Sequence, residues 1–293
     1  TRQRLKNSKS DFFIENKGQW PPQVRYLARK NGLAAWVTDS GVVYDYHKIV
    51  SDTSESEKPA GSKQNHISRM GKAGLPDDNS KIAGHVIRMT FVGSLPPDKS
   101  KLPSNKTAEP DSASQLLFAP FDDTKRKAEY DGINKQEGYF NYFIGNDSTK
   151  WASFVGLYKE VFVRDLYKGI DIRYYYDISD DGRINLRYDF IVHPGADLSQ
   201  IKIKFDGADD IRVNEQGELV LNTSLGEIRQ GKLFTYQVDH IDLYLLGGKE
   251  GGGGKRLESN KMEQVQCLFV KNPDGTIGFE AEQYDKKKVL IID

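Results

Sequence analysis

A single cysteine, Cys267, stands in 293 residues. One thiol closes no internal disulfide and builds no cysteine-based zinc cluster. Net charge is equally lacking, because 42 basic side chains balance 42 acidic ones. Phosphate neutralisation needs a basic excess, so general nucleic-acid binding is not expected, although a local basic patch is still allowed. No apolar run approaches the roughly 20 residues of a membrane-spanning helix, so no transmembrane segment is expected. No signal-like apolar stretch opens the chain. It begins with Thr1 rather than Met, which fits processing or trimming. Helical periodicity is missing as well: no window longer than ten residues carries a convincing 3.6-residue apolar period.

What the chain does have is alternation. Runs at 24–29, 33–38 and 42–46 are separated by Asn31-Gly32 and Ser40-Gly41 and read as a meander of hairpins. Further runs lie at 86–92, 139–144, 161–163, 170–176, 184–192, 201–205, 211–213, 218–221, 234–238, 264–270, 277–281 and 288–292. Turn chemistry sits between them, most clearly in Asn272-Pro-Asp-Gly275. Short strands with such spacing predict an all-β, antiparallel β-sandwich with little helix.

The organisation expected is a basic tail at 1–10, a first β lobe at 11–135 and a second at 136–293. Polar stretches at 51–81 and 96–114 read as long surface loops; the second carries Pro96, Pro97, Pro103 and Pro110 and is barred from a central strand. The two halves echo each other. Tyr44-Asp45-Tyr46 corresponds to Tyr188-Asp189-Phe190, and the segment 87–94 to 201–208, sharing Ile-basic-apolar-polar-Phe-x-Gly-small. This allows two related sandwich lobes in tandem; coincidence among alternating strands is the competing explanation.

Few motifs carry chemistry. The glycine-rich run 247–255 lacks the spacing of a phosphate loop, since Lys249 stands where glycine is needed and Arg256 where Ser or Thr is needed. His47, His66, His85, His193 and His240 form no metal-binding pair. No Gly-x-Ser-x-Gly elbow is present, and Cys267 lies in an alternating strand, where a core position is expected. Asp171, Asp177, Asp180, Asp181 and Asp189 cluster around one hairpin. Asp177, Asp180 and Asp181 suggest a loop Ca2+ site; the alternative is an ordinary acidic turn, and no other cofactor is expected. Abundant carboxylates leave a glycosidase-type acid pair open.

Aromatics are concentrated. Tyr139, Phe140, Tyr142, Phe143, Trp151, Phe154, Tyr158, Phe162 and Tyr167 are followed by Tyr174, Tyr175 and Tyr176. Trp151 and the tyrosine run are candidate platforms for a sugar ring or a protein partner; the bland alternative is core filling. Tyr174 and Tyr176 fall on one strand face and Tyr175 on the other.

Several segments resemble a known family. These are Phe13-Ile-Glu-Asn-Lys-Gly-Gln19, Tyr142-Phe-Ile-Gly145 with Trp151, Asp165-Leu-Tyr-Lys-Gly-Ile-Asp-Ile-Arg-Tyr-Tyr175, and Tyr188-Asp-Phe-Ile-Val-His-Pro-Gly-Ala-Asp197. The segments 201–207, Gly217-Glu-Leu219 and 289–293 follow in the same order. Together they resemble an uncharacterised domain near the N-termini of large secreted or surface proteins of Bacteroidetes-type bacteria. Propeller-like repeats, immunoglobulin-like modules and a C-terminal secretion signal often follow that domain. The resemblance covers 11–293 and carries no activity and no catalytic residues. It implies export, a longer parent protein, and neighbouring domains, glycans or cell-surface proteins as partners. Asp111-Ser-Ala113 and Asp147-Ser-Thr149 look like the short O-glycosylation pattern of such bacteria. The expected function is a non-catalytic module for adhesion, assembly or ligand presentation. The alternatives are a carbohydrate-binding module and a glycoside-hydrolase-like enzyme.

Overall fold

The computed structural model describes residues 11–30, 32–51, 80–98, 127–178, 184–239 and 262–293. The described chain is nearly all β. In chain order the strands are β1 Phe13–Glu15, β2 Val24–Lys30, β3 Leu33–Thr38, β4 Gly41–Ser51, β5 Ser80–Phe91, β6 Glu129–Tyr142, β7 Ala152–Tyr167, β8 Ile170–Ile178 and β9 Ile184–Val192. They continue as β10 Ile203–Asp206, β11 Asp210–Val213, β12 Leu219–Thr223, β13 Gly226–Gln230, β14 Thr235–Val238, β15 Glu263–Val265, β16 Cys267–Lys271, β17 Ile277–Ala281 and β18 Val289–Ile292. Strands β11, β12 and β13 form a small antiparallel sheet; the rest belong to one large sheet.

The large sheet divides at β7. Tyr158 pairs with both Lys135 of β6 and Phe13 of β1, and Glu160 with both Ile133 of β6 and Tyr175 of β8. Strand β6 therefore takes one edge of β7, while β1 and β8 share the other. From β8 the order runs through β9, β18 and β14 to β15; from β1 it runs through β2, β3, β4, β5, β10 and β17 to β16. The two arms meet again, because β15 and β16 are separated only by Gln266. Val265, Cys267 and Phe269 all point inward, so one extended run exchanges β14 for β17 as its partner. The arrangement is a nearly closed sheet around one core.

That core draws on both halves of the chain: Phe13, Val37, Met89 and Phe91 pack in one cluster with Val161, Ile172, Phe190 and Ile277. The tandem-lobe expectation gives way here. Strand β6 crosses the expected boundary at 135/136, and the echoing segments lie in one sheet. Met89 of β5 pairs with Phe205 of β10, antiparallel. Each Phe-x-Gly ends its run with a left-handed glycine, Gly93 (φ 77°) or Gly207 (φ 95°). A Cβ on Gly207 would come within 2.3 Å of the Val86 carbonyl oxygen, so this close approach admits only glycine.

Three further differences between sequence and structure bear on the sheet's edges and connections. Strand β6 begins ten residues before the expected aromatic run; its first half is polar, which a strand at the sheet's edge tolerates. Strand β13 was not expected, because Gly-Glu-Ile-Arg-Gln carries one large apolar residue. The polar stretch expected as a loop at 51–81 is strand at both ends, since Ser51 pairs with Ser80; residues 52–79 lie outside the described ones.

Candidate functional site

Two strands carry side chains from the dry core to an open cleft. On β4, Val42, Tyr44 and Tyr46 share one face by the period of two, and burial falls along them from complete to half. On β9, Phe190, Tyr188 and Leu186 do the same from the opposite wall. Where this aromatic layer outruns its packing, a cleft of about 640 Å³ opens. Phe205, Phe269 and Phe279 line it from β10, β16 and β17, and Leu221, Ile228 and Gln230 from the small sheet. Its size falls within the roughly 300–1,000 Å³ of small-molecule sites.

Polar groups ring the apolar floor. The Tyr188 hydroxyl donates to Gln230 Oε1 at 2.7 Å, tying the large sheet to the small one. Tyr44 and Tyr46 lie side by side, ring centroids 6.2 Å apart and planes 28° from parallel. Among the described residues neither hydroxyl has a hydrogen-bond partner. Burial holds the Tyr44 phenol well above its ordinary pKa, with Tyr188 and Tyr46 adding to it, and pushes Tyr46 up to about 12. Both are neutral donors at physiological pH. The rim carries Lys30, Arg187, Arg229 and Lys232. Lys30 pairs with Asp11 at 2.6 Å, Arg187 with Asp177 at 3.3 Å and with Asp293, and Arg229 with Glu218 at 3.3 Å and Glu227 at 2.7 Å. Asp293 is the cleft's lining carboxylate among the described residues.

The outer face of β8 and β9 holds a charged network. Arg173 donates to Glu160 at 2.7 Å, lies 3.8 Å from Asp189, and stacks over the Tyr175 ring at 4.5 Å. The Tyr175 hydroxyl donates to Asp189 at 3.0 Å. Burial, then the charge of Asp293, raises Asp189 to about 7 against the pull of Arg173.

The long resemblance motifs converge at one corner. Asp171 accepts the Asp165 N–H at 2.8 Å through one oxygen and meets His193 Nε2 at 2.7 Å through the other. It holds Asp165 at φ 50° within a register shift of β7. Gly169 turns at φ 71°, and its carbonyl accepts the His193 N–H. Burial lowers the His193 pKa, but the Asp171 hydrogen bond and the charges of Asp171 and Asp165 outweigh it, so the imidazole sits above its ordinary value. In the N-terminal motif, buried Asn16 donates to the carbonyls of Trp20, Pro21 and Val24 and accepts from Gly18 and Trp20 N–H. These motif residues fasten turns.

The residues singled out in the sequence scatter. Tyr174 is 2% exposed and belongs to the core, so it presents no stacking face; its place as a platform is corrected. Tyr176 is half-buried against Phe13, and Tyr175 is occupied by Arg173 and Asp189. Trp151 is exposed at the β6–β7 hairpin tip, where it packs on Phe143 near Ile144 and Phe154, remote from the tyrosine run. Asp177 pairs with Arg187, and Asp180 and Asp181 lie outside the described residues. No group of three metal-ligating side chains occurs among the described residues. Cys267 is buried, as its alternating strand implied. Tyr44, Tyr46, Gln230 and Lys232 escaped notice as a site. The alternation in 42–46 already set both tyrosines on the Val42 face, and the echo placed Tyr44 beside Tyr188 as counterparts.

The model of a family described as Domain of unknown function (DUF7948) matches residues 13–110 and 97–244. The chain belongs to this family. The matched residues supply Tyr44 and Tyr46 of one cleft wall, Tyr188 of the other, and the Asp171–His193 corner. No curated protein and no solved structure matches the chain. No helix among the described residues is long and apolar enough to cross a membrane.

Proposed function

We propose that this domain is a non-catalytic recognition module of a larger secreted or cell-surface protein, acting in ligand presentation, adhesion or assembly. The observation that carries this reading is the cleft. Its walls come from both arms of the large sheet and from the small sheet, so the fold itself forms it without a ligand. Export, the bacterial outer surface and further domains follow from the resemblance of the long motifs. Cell fractionation and surface proteolysis of the producing bacterium test that placement.

A thermal-shift panel tests the binding reading. A ligand present at about 100 times its Kd stabilises by about 2.7 kcal/mol, which raises Tm by roughly 4–5 °C in a chain of this size. Such a shift from a panel of oligosaccharides, peptides and amphiphiles, with and without Ca2+, is the expected result. A panel that leaves Tm unmoved, with no retention on surface polysaccharide, removes the reading.

Carbohydrate binding through exposed aromatics is the second reading. It is favoured by Trp151, Phe143 and Phe154, which stand exposed at the β6–β7 tip. Glycan-array binding abolished by Trp151→Ala supports it. The hydrolase alternative requires a second carboxylate beside Asp293, and release of chromophore from aryl glycosides would establish it.

A further inference from the structure

We infer that the cleft takes a neutral saccharide, lying against the Tyr44–Tyr46 wall with its hydroxyls on the two phenols. This deepens the recognition-module reading and rests on it. The argument runs by ligand class. A purely apolar ligand would cover the Tyr44 and Tyr46 hydroxyls and leave them without partners, a cost that no contact on the apolar floor removes. A polyanion would find three of the four rim cations already neutralised: Lys30 is held by Asp11, Arg187 by Asp177 and Asp293, and Arg229 by Glu218 and Glu227. Lys232 alone on the rim has no ion pair among the described residues. A cation would find Asp293 already engaged by Arg187. Apart from Lys232, what the site leaves free among the described residues is uncharged: two phenols, the amide nitrogen of Gln230, and aromatic wall. A sugar ring matches that set, having an apolar C–H face and an edge of hydroxyls that donate and accept. Internally paired charges cost little to keep beside such a ligand; Lys30, Arg187 and Arg229 supply further hydrogen-bond donors and Asp293 an acceptor.

The test uses the full chain with three probe sets: neutral hexose oligosaccharides, polygalacturonate fragments as the acidic set, and anilinonaphthalene sulfonate as the apolar probe. Binding is read by titration calorimetry and saturation-transfer NMR. The variants are Tyr44→Phe, Tyr46→Phe and their double variant. They remove only the hydroxyls, and their thermal melts verify folding. Trp151→Ala serves as the remote control. The expected result is saturable binding of a neutral oligosaccharide that changes little with salt. The double phenylalanine variant weakens it at least tenfold, and Trp151→Ala leaves it unchanged. Binding of the acidic set or the dye alone, weakened by the same variants, overturns the saccharide and keeps the recognition reading. Saccharide binding lost in Trp151→Ala but kept in the double variant moves the site to the hairpin tip and overturns the cleft. No saturable binding in any set overturns the saccharide, while the recognition reading falls only if the wider thermal-shift panel and the polysaccharide retention are negative as well.

Discussion

The hairpin of β8 and β9 has two faces of opposite character. Inward, Ile172, Tyr174 and Phe190 are almost fully buried and pack by shape alone. Outward, Arg173, Tyr175 and Asp189 form a network in which each charge sits within reach of its opposite. The backbone is the same; only the parity of the residue differs. The inner face is stabilised by removing apolar surface from water, which is indifferent to pH. The outer face carries a half-desolvated charge set and a histidine–aspartate corner at the hairpin's base, so its contribution changes with protonation.

The largest expected effect tests the inner face. Phe190→Ala should cost about 3–5 kcal/mol in urea unfolding. Its cost should be the same at pH 5 and pH 8; a loss that varies strongly with pH would break the division between the faces.

Asp189→Asn tests the outer face. The folded pKa of Asp189 lies near 7, above the roughly 3.9 of an unfolded aspartate. The native state therefore holds a proton that the unfolded chain releases, and stability falls as pH rises from about 4 through 7. Asp189→Asn should match the parent below about pH 4, where both states of the parent are protonated, and exceed it increasingly up to pH 8, by roughly 3–4 kcal/mol. Equal pH profiles for parent and variant would show that Arg173 keeps Asp189 ionised throughout.

The contribution of His193 also falls as pH rises, but here the variant removes a stabilising group rather than a costly one. The His193 pKa is raised in the fold, so its stabilisation is fully present below the unfolded value near 6.5 and is lost as pH rises through the folded value. With the imidazole partly exposed and screened by solvent, the substitution should cost about 0.5–1 kcal/mol at pH 5.5 and progressively less as pH rises past the ordinary histidine range. Melts across that range decide it.

The smallest effect sharpens the boundary between core and cleft. Tyr44→Phe and Tyr46→Phe remove hydroxyls that make no hydrogen bond among the described residues, so each should change stability by about 0.5 kcal/mol or less. A larger loss would place those phenols in the structure rather than in a binding site.

Much of this fold was legible because strand signals are local. The alternation at 184–192 and 277–281 gave strands β9 and β17 with their boundaries, and Asn272-Pro-Asp-Gly275 gave its turn, with Gly275 at φ 82°. The polar half of β6 was not legible, because an edge strand draws its stability from β7 rather than from its own apolar residues. The candidate site was legible only in part. The sequence drew attention to tyrosines 174–176, yet one is core, one is packed on Phe13 and one is tied into the Arg173–Asp189 network.

The sequence alone thus determined the class of structure: without helical period, disulfide or net charge, alternating runs between turns leave only antiparallel sheet. It also determined which side chains share a face, since that depends on parity within a strand. Tertiary structure decided the rest. That residues 263–271 join the two arms by changing partners at Gln266 depends on what lies beside the chain, and strand pairing leaves no local mark. For the same reason only the closed sheet brought Tyr44 and Tyr46 from one wall, Tyr188 from the other and Gln230 from the small sheet around one cleft.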